Sequence, residues 1–255
     1  MVLVDRAELV QIWTTVKSAA HENADTPTVM VLSSHSIDSI AACSILCRLL
    51  EDEGIPHKVV PVSDYTDLAR VYRKQIANAS ELRSVFLINC GGIVDLMGKF
   101  QAALDEDPDD GLAGTRNANE LPHPECRWYV LDSHRPYALE NLYVGAEDEE
   151  SSNVYVVHDG EPNSDLDDIL SQLPFLFDDS DGEESDDEDE PLAQRRRVTL
   201  GEYGEMSPDS QRDRRRVVKR LVRRYYMASW HGTASALLCY SLVQVSEGVR
   251  PSQVR

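Results

Sequence analysis

Hydrophobic and polar positions follow two alternating periods over the first 160 residues or so of the chain. Five short apolar, β-branched runs stand out: "TVMVLS" (28–33), "HKVVPVS" (57–63), "SVFLINC" (84–90), "RWYVLD" (127–132) and "NVYVVHD" (153–159). Runs of this length suit strands, and those apolar throughout suit strands buried on both faces. Pro61 assigns 57–63 to an end or an edge, because proline cannot donate to a ladder. Between the runs the apolar residues recur every three or four positions. Segment 36–54 carries them at 40, 42, 45, 46, 49 and 50 and closes on Gly54, a helix with its C-terminal stop. Segment 65–79 reads as an amphipathic helix and 91–104 as a turn followed by a helix. The alternation predicts an α/β domain whose five strands form a mostly parallel sheet with right-handed crossovers.

The pattern breaks after Phe177. Residues 178–190, "DDSDGEESDDEDE", hold ten acids in thirteen positions and almost nothing to bury. Ordering such a stretch does not repay its conformational entropy, so 178–206 reads as a disordered acidic insertion. Ser180 and Ser185 each have an acid three positions on (Glu183, Glu188), the arrangement acid-directed kinases favour. Phosphorylation there would add about −1.5 to −2 charge per site, although a solvated spacer is the simpler reading. Order is expected to return at Ser207–Pro208, a good helix start. In the helix predicted from there towards Trp230, Arg212, Arg215, Arg216, Lys219, Arg220 and Arg223 share one face. Val217, Val218, Leu221, Val222 and Tyr225 share the other. Segment 231–245 predicts a final helix. The organisation is therefore a domain over 1–177, the insertion 178–206, and a helical segment 207–255 that completes the lobe.

Composition narrows the picture. Among the 255 residues, 42% are hydrophobic, enough for a sizeable core. No apolar run approaches the roughly 20 residues of a membrane helix. "MVLVDRAELVQIW" lacks the charged-then-apolar order of a signal peptide, and no membrane partner is expected. The net charge is −20, and half of it lies in 178–190; the remaining −10 argues against a broad nucleic-acid surface. Five scattered cysteines read as reduced thiols rather than a disulfide framework. Cys43 and Cys47 sit one helical turn apart, yet without a further Cys or His pair at ligand spacing they read as buried thiols. His123 and Cys126 are half a zinc motif without its other half.

Sites in open α/β sheets form at the carboxyl ends of strands. Here the first strand delivers "SSHSIDS" (33–39), the third "NCGG" (89–92) and the fourth "DSHRP" (132–136). In order and context these segments, with the later "HGTASA", resemble the metal-binding motifs of the DHH phosphoesterase superfamily, the RecJ-like nucleases and related pyrophosphatases. That resemblance implies a pair of divalent ions held by several carboxylates. This chain has Ser36 where the first aspartate of an Asp-x-Asp pair is expected, with Asp38 kept. Asn89 stands for the aspartate after the third strand, and Ser133 for the first histidine of Asp-His-His, beside Asp132 and His134. Hydroxyls and amides do not replace the lost anionic charge, and His35 alone does not compensate. The site reads as vestigial, with no metal and no other cofactor.

Together with the acidic insertion and arginine-rich helix, "VLSSHSIDSIAACSILCRLLEDEGIPHKVVPVSDYTDL", "VFLINCGGIVDL", "YVLDSHRPYALENLY" and "WHGTASA" resemble the N-terminal lobe of the eukaryotic cell division cycle protein forty-five family. These are replication initiation factors descended from RecJ-like nucleases. The resemblance spans about residues 28 to 245 and implies a DHH-type parallel-sheet fold. It also implies a non-enzymatic nuclear subunit of the replicative helicase, associated with the minichromosome maintenance ring and the GINS complex. Members of that family are considerably longer, and their second lobe has no counterpart here. An active metal-dependent phosphoesterase is the competing reading. So is an acidic-tract adaptor carrying an incidental α/β domain.

Simpler roles are open for the same residues. Asp38 is placed to cap the helix beside it, and Asp132 and His134 to bond each other or the loop, with Arg135 and Pro136 fixing its exit. The basic stripe of Arg215, Arg216, Lys219, Arg220 and Arg223 could meet single-stranded DNA or origin chromatin, an acidic partner protein, or the chain's own acidic insertion. The solvated side of a packed helix is the preferred reading. A single-strand groove would need aromatics too. Candidates cluster at Arg223, Arg224, Tyr225, Tyr226 and Trp230, of which Tyr225 and Trp230 are expected in the core.

Overall fold

A computed structural model describes residues 2–4, 8–22, 26–77, 79–105, 126–142, 153–158, 166, 169–172 and 208–246. In chain order its elements are β1 (Val2–Val4), α1 (Leu9–His21), β2 (Val29–Ser33), α2 (Ile37–Asp52), β3 (His57–Pro61) and α3 (Tyr65–Val71). Then come β4 (Ser84–Ile88), α4 (Leu96–Asp105), β5 (Arg127–Leu131), β6 (His134–Arg135), β7 (Val154–Val157), α5 (Pro208–Tyr225), β8 (Trp230–His231) and α6 (Ser235–Ser246). The strands β1-β7-β5-β4-β2-β3, in that spatial order, make one sheet in which every pairing is parallel.

The α/β parallel-sheet class predicted from the pattern is the one the chain adopts. Every position of the central strands β2 and β4 is buried, because helices cover both faces. Successive residues point to opposite sides, so the apolar runs feed two cores. Met30, Leu32, Val85, Leu87, Trp128 and Val130 pack with Leu68 of α3, Tyr72 just beyond it and Phe100 of α4. Val29, Val31, Phe86, Ile88, Tyr129 and Leu131 pack with Trp13, Leu46 and Leu238 from α1, α2 and α6. The edge strand β3 is half-exposed, in keeping with its terminal Pro61.

The pattern missed some elements and misjudged others. A sixth strand, β1, adds to the sheet edge by pairing Val2 with Tyr155 and Val4 with Val157, and α1 buries Leu9, Ile12, Trp13 and Val16 in the core shared with α2 and α6. Three residues are too short a run to show a period, and the charges after them hide it. The helix expected over 65–79 stops being α-helical at Val71. It widens into a π turn, Tyr72–Ile76, closed by the Ala77 N–H on the Tyr72 carbonyl at 2.9 Å. Tyr72 there stacks on Phe100, ring centroids 4.1 Å apart.

The basic helix ends at Tyr225 and does not reach Trp230. Trp230 and His231 instead pair antiparallel with Arg135 and His134 as a two-stranded ribbon. The final helix accordingly begins at Ser235. The insertion 178–206, with Ser180 and Ser185, lies outside the described residues, as do Ser207, His123 and the side chain of Arg212.

Candidate functional site

The carboxyl ends of β2, β4 and β5 lie side by side, so the loops after them share one rim of the sheet. Ser36, Asp38, Asn89, Asp132 and His134 all occur there, and α6 starts against them.

Each residue is held by local backbone chemistry. Ser36 has extended dihedrals (φ −72, ψ 158) and accepts the Ser39 N–H at 3.0 Å, so Ser36 is the N-cap of α2. Asp38 does not take that role, contrary to the expectation. Its Oδ2 accepts the Ser235 N–H at 2.8 Å and its Oδ1 the Ala236 N–H at 3.0 Å. A carboxylate from α2 thus satisfies two orphan donors at the start of α6, where the helix dipole favours negative charge. Burial alone would push the Asp38 carboxyl up. The bonds from Asn89, Ala236 and Ser235 outweigh it and hold Asp38 below the ordinary carboxylate range.

Asn89 turns the chain out of β4 with φ at 50, a left-handed conformation asparagine tolerates better than most residues. Its Nδ2 donates to Asp38 Oδ2 at 2.7 Å and to Ser39 Oγ at 3.1 Å. Its Oδ1 accepts the Ser133 N–H at 2.9 Å and lies 2.8 Å from Ser133 Oγ and 2.7 Å from Ser235 Oγ. A carboxylate on one side and a backbone donor on the other fix which way the amide points.

Asp132 is fully buried. Its Oδ2 accepts the Gly92 N–H at 2.8 Å; its Oδ1 accepts the His134 N–H at 3.0 Å and meets His134 Nδ1 at 2.6 Å. The bond to Asp132 raises the His134 pKa against the opposing effect of burial. Arg135 is buried next to it. Its Nη1 donates to the Asp132 carbonyl at 2.6 Å, and its guanidinium sits 3.9 Å over the Tyr137 ring. Across the β6–β8 ribbon the His134 and His231 rings stand 5.1 Å apart.

This donor set does not fit a pair of divalent ions. The oxygens of Asp38 and Asp132 already accept bonds from backbone N–H groups, Asn89 and His134. Ser36, Asn89 and Ser133, at the three replaced positions, are neutral, and His35 is exposed, outside the network. Among the described residues no three His, Cys, Asp or Glu side chains gather so as to hold a metal ion together. What the arrangement does instead is tie three strand ends and two helices into one polar joint, buried at Ser39, Asn89, Asp132, Ser133 and Ser235. The sequence flagged Ser36, Asp38, Asn89, Asp132 and His134 but not Ser39, Gly92 or Ser235, which complete the joint. The only signal for Ser235 was its place among small residues ahead of an apolar helix.

The basic stripe is a separate surface. On α5, Arg216, Lys219, Arg220 and Arg223 are exposed and Arg215 is half-buried. Val218 and Tyr225 anchor the opposite face, and the Leu139 N–H donates to Tyr226 Oη at 2.8 Å. Val217, expected on the buried face, is 41% exposed. Trp230, expected in the core, is 38% exposed, because it sits on β8 beyond the helix end and not on its apolar face.

Comparison with known proteins finds relatives over much of the chain. The CDC45 family model matches residues 29–190. The Cell division control protein 45 homolog of Dictyostelium discoideum is 30% identical over 160 residues, 63% of this chain and 20% of its own length. The homolog of Schizosaccharomyces pombe is 29% identical over 142 residues, 56% of this chain and 18% of its own. The crystal structure of CDC45 from Entamoeba histolytica superposes with a TM-score of 0.46 at 22% identity, covering 62% of this chain and 26% of that one. The chain spans about a fifth of the length of the curated relatives it matches. With well over half of its residues matched by the family model, the chain belongs to the CDC45 family.

Proposed function

We propose that this chain works as a noncatalytic DNA replication factor, a nuclear scaffold lobe that associates with minichromosome maintenance helicase subunits and the GINS complex. Family membership supports the replication role. The noncatalytic reading is supported above all by Asn89, whose amide nitrogen donates to Asp38 Oδ2 across 2.7 Å where a phosphoesterase would need a second carboxylate and a shared cation. An aspartate at 89 would face Asp38 unscreened; an asparagine bonds it. The rim has exchanged ligand chemistry for a hydrogen-bonded joint that keeps the strand ends and α6 in fixed register. Rigid presentation of surface is what a scaffold requires. Single-stranded DNA or origin chromatin is a further proposed partner, met by the exposed basic face of α5 and the half-exposed Trp230.

Two measurements test this. The tagged chain, purified from replicating cells, is expected to bring minichromosome maintenance and GINS subunits with it, and loss of both overturns the scaffold assignment. Purified chain incubated with manganese and a generic phosphodiester is expected to release nothing above background. Hydrolysis abolished by Asp132→Ala would instead establish the metal-dependent phosphoesterase.

A further inference from the structure

Away from the rim, α2 carries a second cluster that the joint does not use. Cys43 and Cys47 lie one turn apart with their sulfurs 3.8 Å from each other. Both are half-buried, not sealed as the sequence pattern suggested. Cys239 of α6 is fully buried next to Cys43 and keeps its proton, since burial raises its pKa. Glu51, one turn beyond Cys47 on the same stripe, adds negative charge.

Two sulfurs this close invite either a disulfide or a bridging ion, and helix geometry separates the two. Side chains at i and i+4 have Cβ atoms about 5–6 Å apart, whereas a disulfide needs about 3.5–4.5 Å. The bond therefore cannot close without unwinding a turn of a helix packed on the sheet. A bridging ion has no such requirement. With a zinc–sulfur bond of about 2.3 Å, two sulfurs of a tetrahedron sit roughly 3.8 Å apart, the separation observed between Cys43 and Cys47.

We propose that Cys43 and Cys47 form a two-thiolate site for a thiophilic divalent cation of the zinc–cadmium class. The ion takes both sulfurs, fills its other positions with water, and releases the thiol protons to solvent. Thiolate ligands select for soft and borderline ions over magnesium or calcium. The shared hydrogen bond holds the Cys43 thiol down and pushes the Cys47 thiol up, so binding the ion must displace the proton held at Cys47. An ion here would clamp the middle of the helix whose first turn carries Ser36 and Asp38.

Titrating the full chain with cadmium, and following the ultraviolet sulfur-to-metal charge-transfer band, tests the site. The expected result is a band saturating near about one equivalent. It should be lost in both Cys43→Ser and Cys47→Ser and kept in Cys239→Ser. Far-UV circular dichroism of each variant checks that the fold survives. On the unmutated chain, cadmium should also slow alkylation of Cys43 and Cys47, read by peptide mass. No band, a band surviving either Cys43→Ser or Cys47→Ser, or alkylation indifferent to cadmium overturns the proposal.

Discussion

Asn89 and Asp38, 51 positions apart in the chain, meet across 2.7 Å with an amide hydrogen between them. That contact is what distinguishes this rim from a cation site. Replacing Asn89 by Asp leaves shape nearly unchanged but sets two carboxylates against each other. At a few ångströms and an effective dielectric near 20, the repulsion is about 4 kcal/mol, part of which a raised pKa relieves. Asn89→Asp is therefore expected to cost about 2–3 kcal/mol in urea unfolding at neutral pH, with most of that recovered at about pH 4 as one carboxyl protonates. A variant as stable as the parent at pH 7 would mean that Asp38 is not held as described.

Gly92 is needed for closeness, not for backbone freedom. A Cβ built there would lie 2.9 Å from both Cβ and Oδ2 of Asp132, the oxygen its own N–H bonds at 2.8 Å. Gly92→Ala must move the loop or the aspartate, leaving part of a buried charge unpaired. A loss of about 1–3 kcal/mol is expected in thermal or chemical unfolding. Gly54 provides the contrast: its φ of +68 is left-handed, with nothing within 4 Å of an added Cβ. Gly54→Ala should cost about 1 kcal/mol from backbone strain alone. Equal and negligible effects at the two sites would contradict the packing described at Gly92.

The sequence made the central sheet readable because β2, β4 and β5 are buried on both faces and show as unbroken apolar runs. It pointed to the rim because Ser36, Asn89 and Ser133 stand where carboxylate or imidazole ligands are expected. It did not disclose what those residues bind. Asp38 finds its partners 197 and 198 positions away, at Ser235 and Ala236, and no local period encodes such a meeting. Capping was legible as a possibility, but Ser36 and Asp38 both suit it, and only the placement of α6 decides between them. Trp230 was misassigned for a related reason. A helical period does not show that the chain leaves the helix at Tyr225 and pairs Trp230 with β6.

The exposed cations of α5 give a prediction about binding and its salt dependence. Lys219, Arg220 and Arg223 lie on the solvent side, opposite Val218 and Tyr225, so changing them leaves the packed face untouched. If single-stranded DNA binds here, replacing all three by Gln should weaken it. Each lost phosphate contact lowers the slope of log K against log salt by about 0.7. Trp230→Ala should cost about 1–3 kcal/mol of affinity if a base stacks there. Fluorescence anisotropy with a labelled oligonucleotide at several salt concentrations separates the two contributions. Binding indifferent to salt in the parent chain would remove α5 as the contact.

His134 makes the joint sensitive to pH in a definite direction. Its Nδ1 lies 2.6 Å from a buried Asp132 oxygen, and this bond raises the histidine's pKa in the folded state above its ordinary value of 6.5. A group whose pKa is raised by folding binds its proton more tightly in the native state. Its stabilising contribution is complete below about 6.5 and disappears as pH rises through the folded value. The side chain is 40% exposed, so solvent screening keeps the effect modest. Asp38 acts at the other end of the scale. Its pKa is lowered from 3.8, so its contribution is present above that value and lost as pH falls through the folded one. Urea midpoints measured between about pH 5 and 9 should decline on the alkaline side for the parent chain. In His134→Asn, which keeps the backbone N–H bond to Asp132 but cannot titrate, that decline should flatten. Parallel curves for the two proteins would show that the proton shared by His134 and Asp132 carries no folding energy.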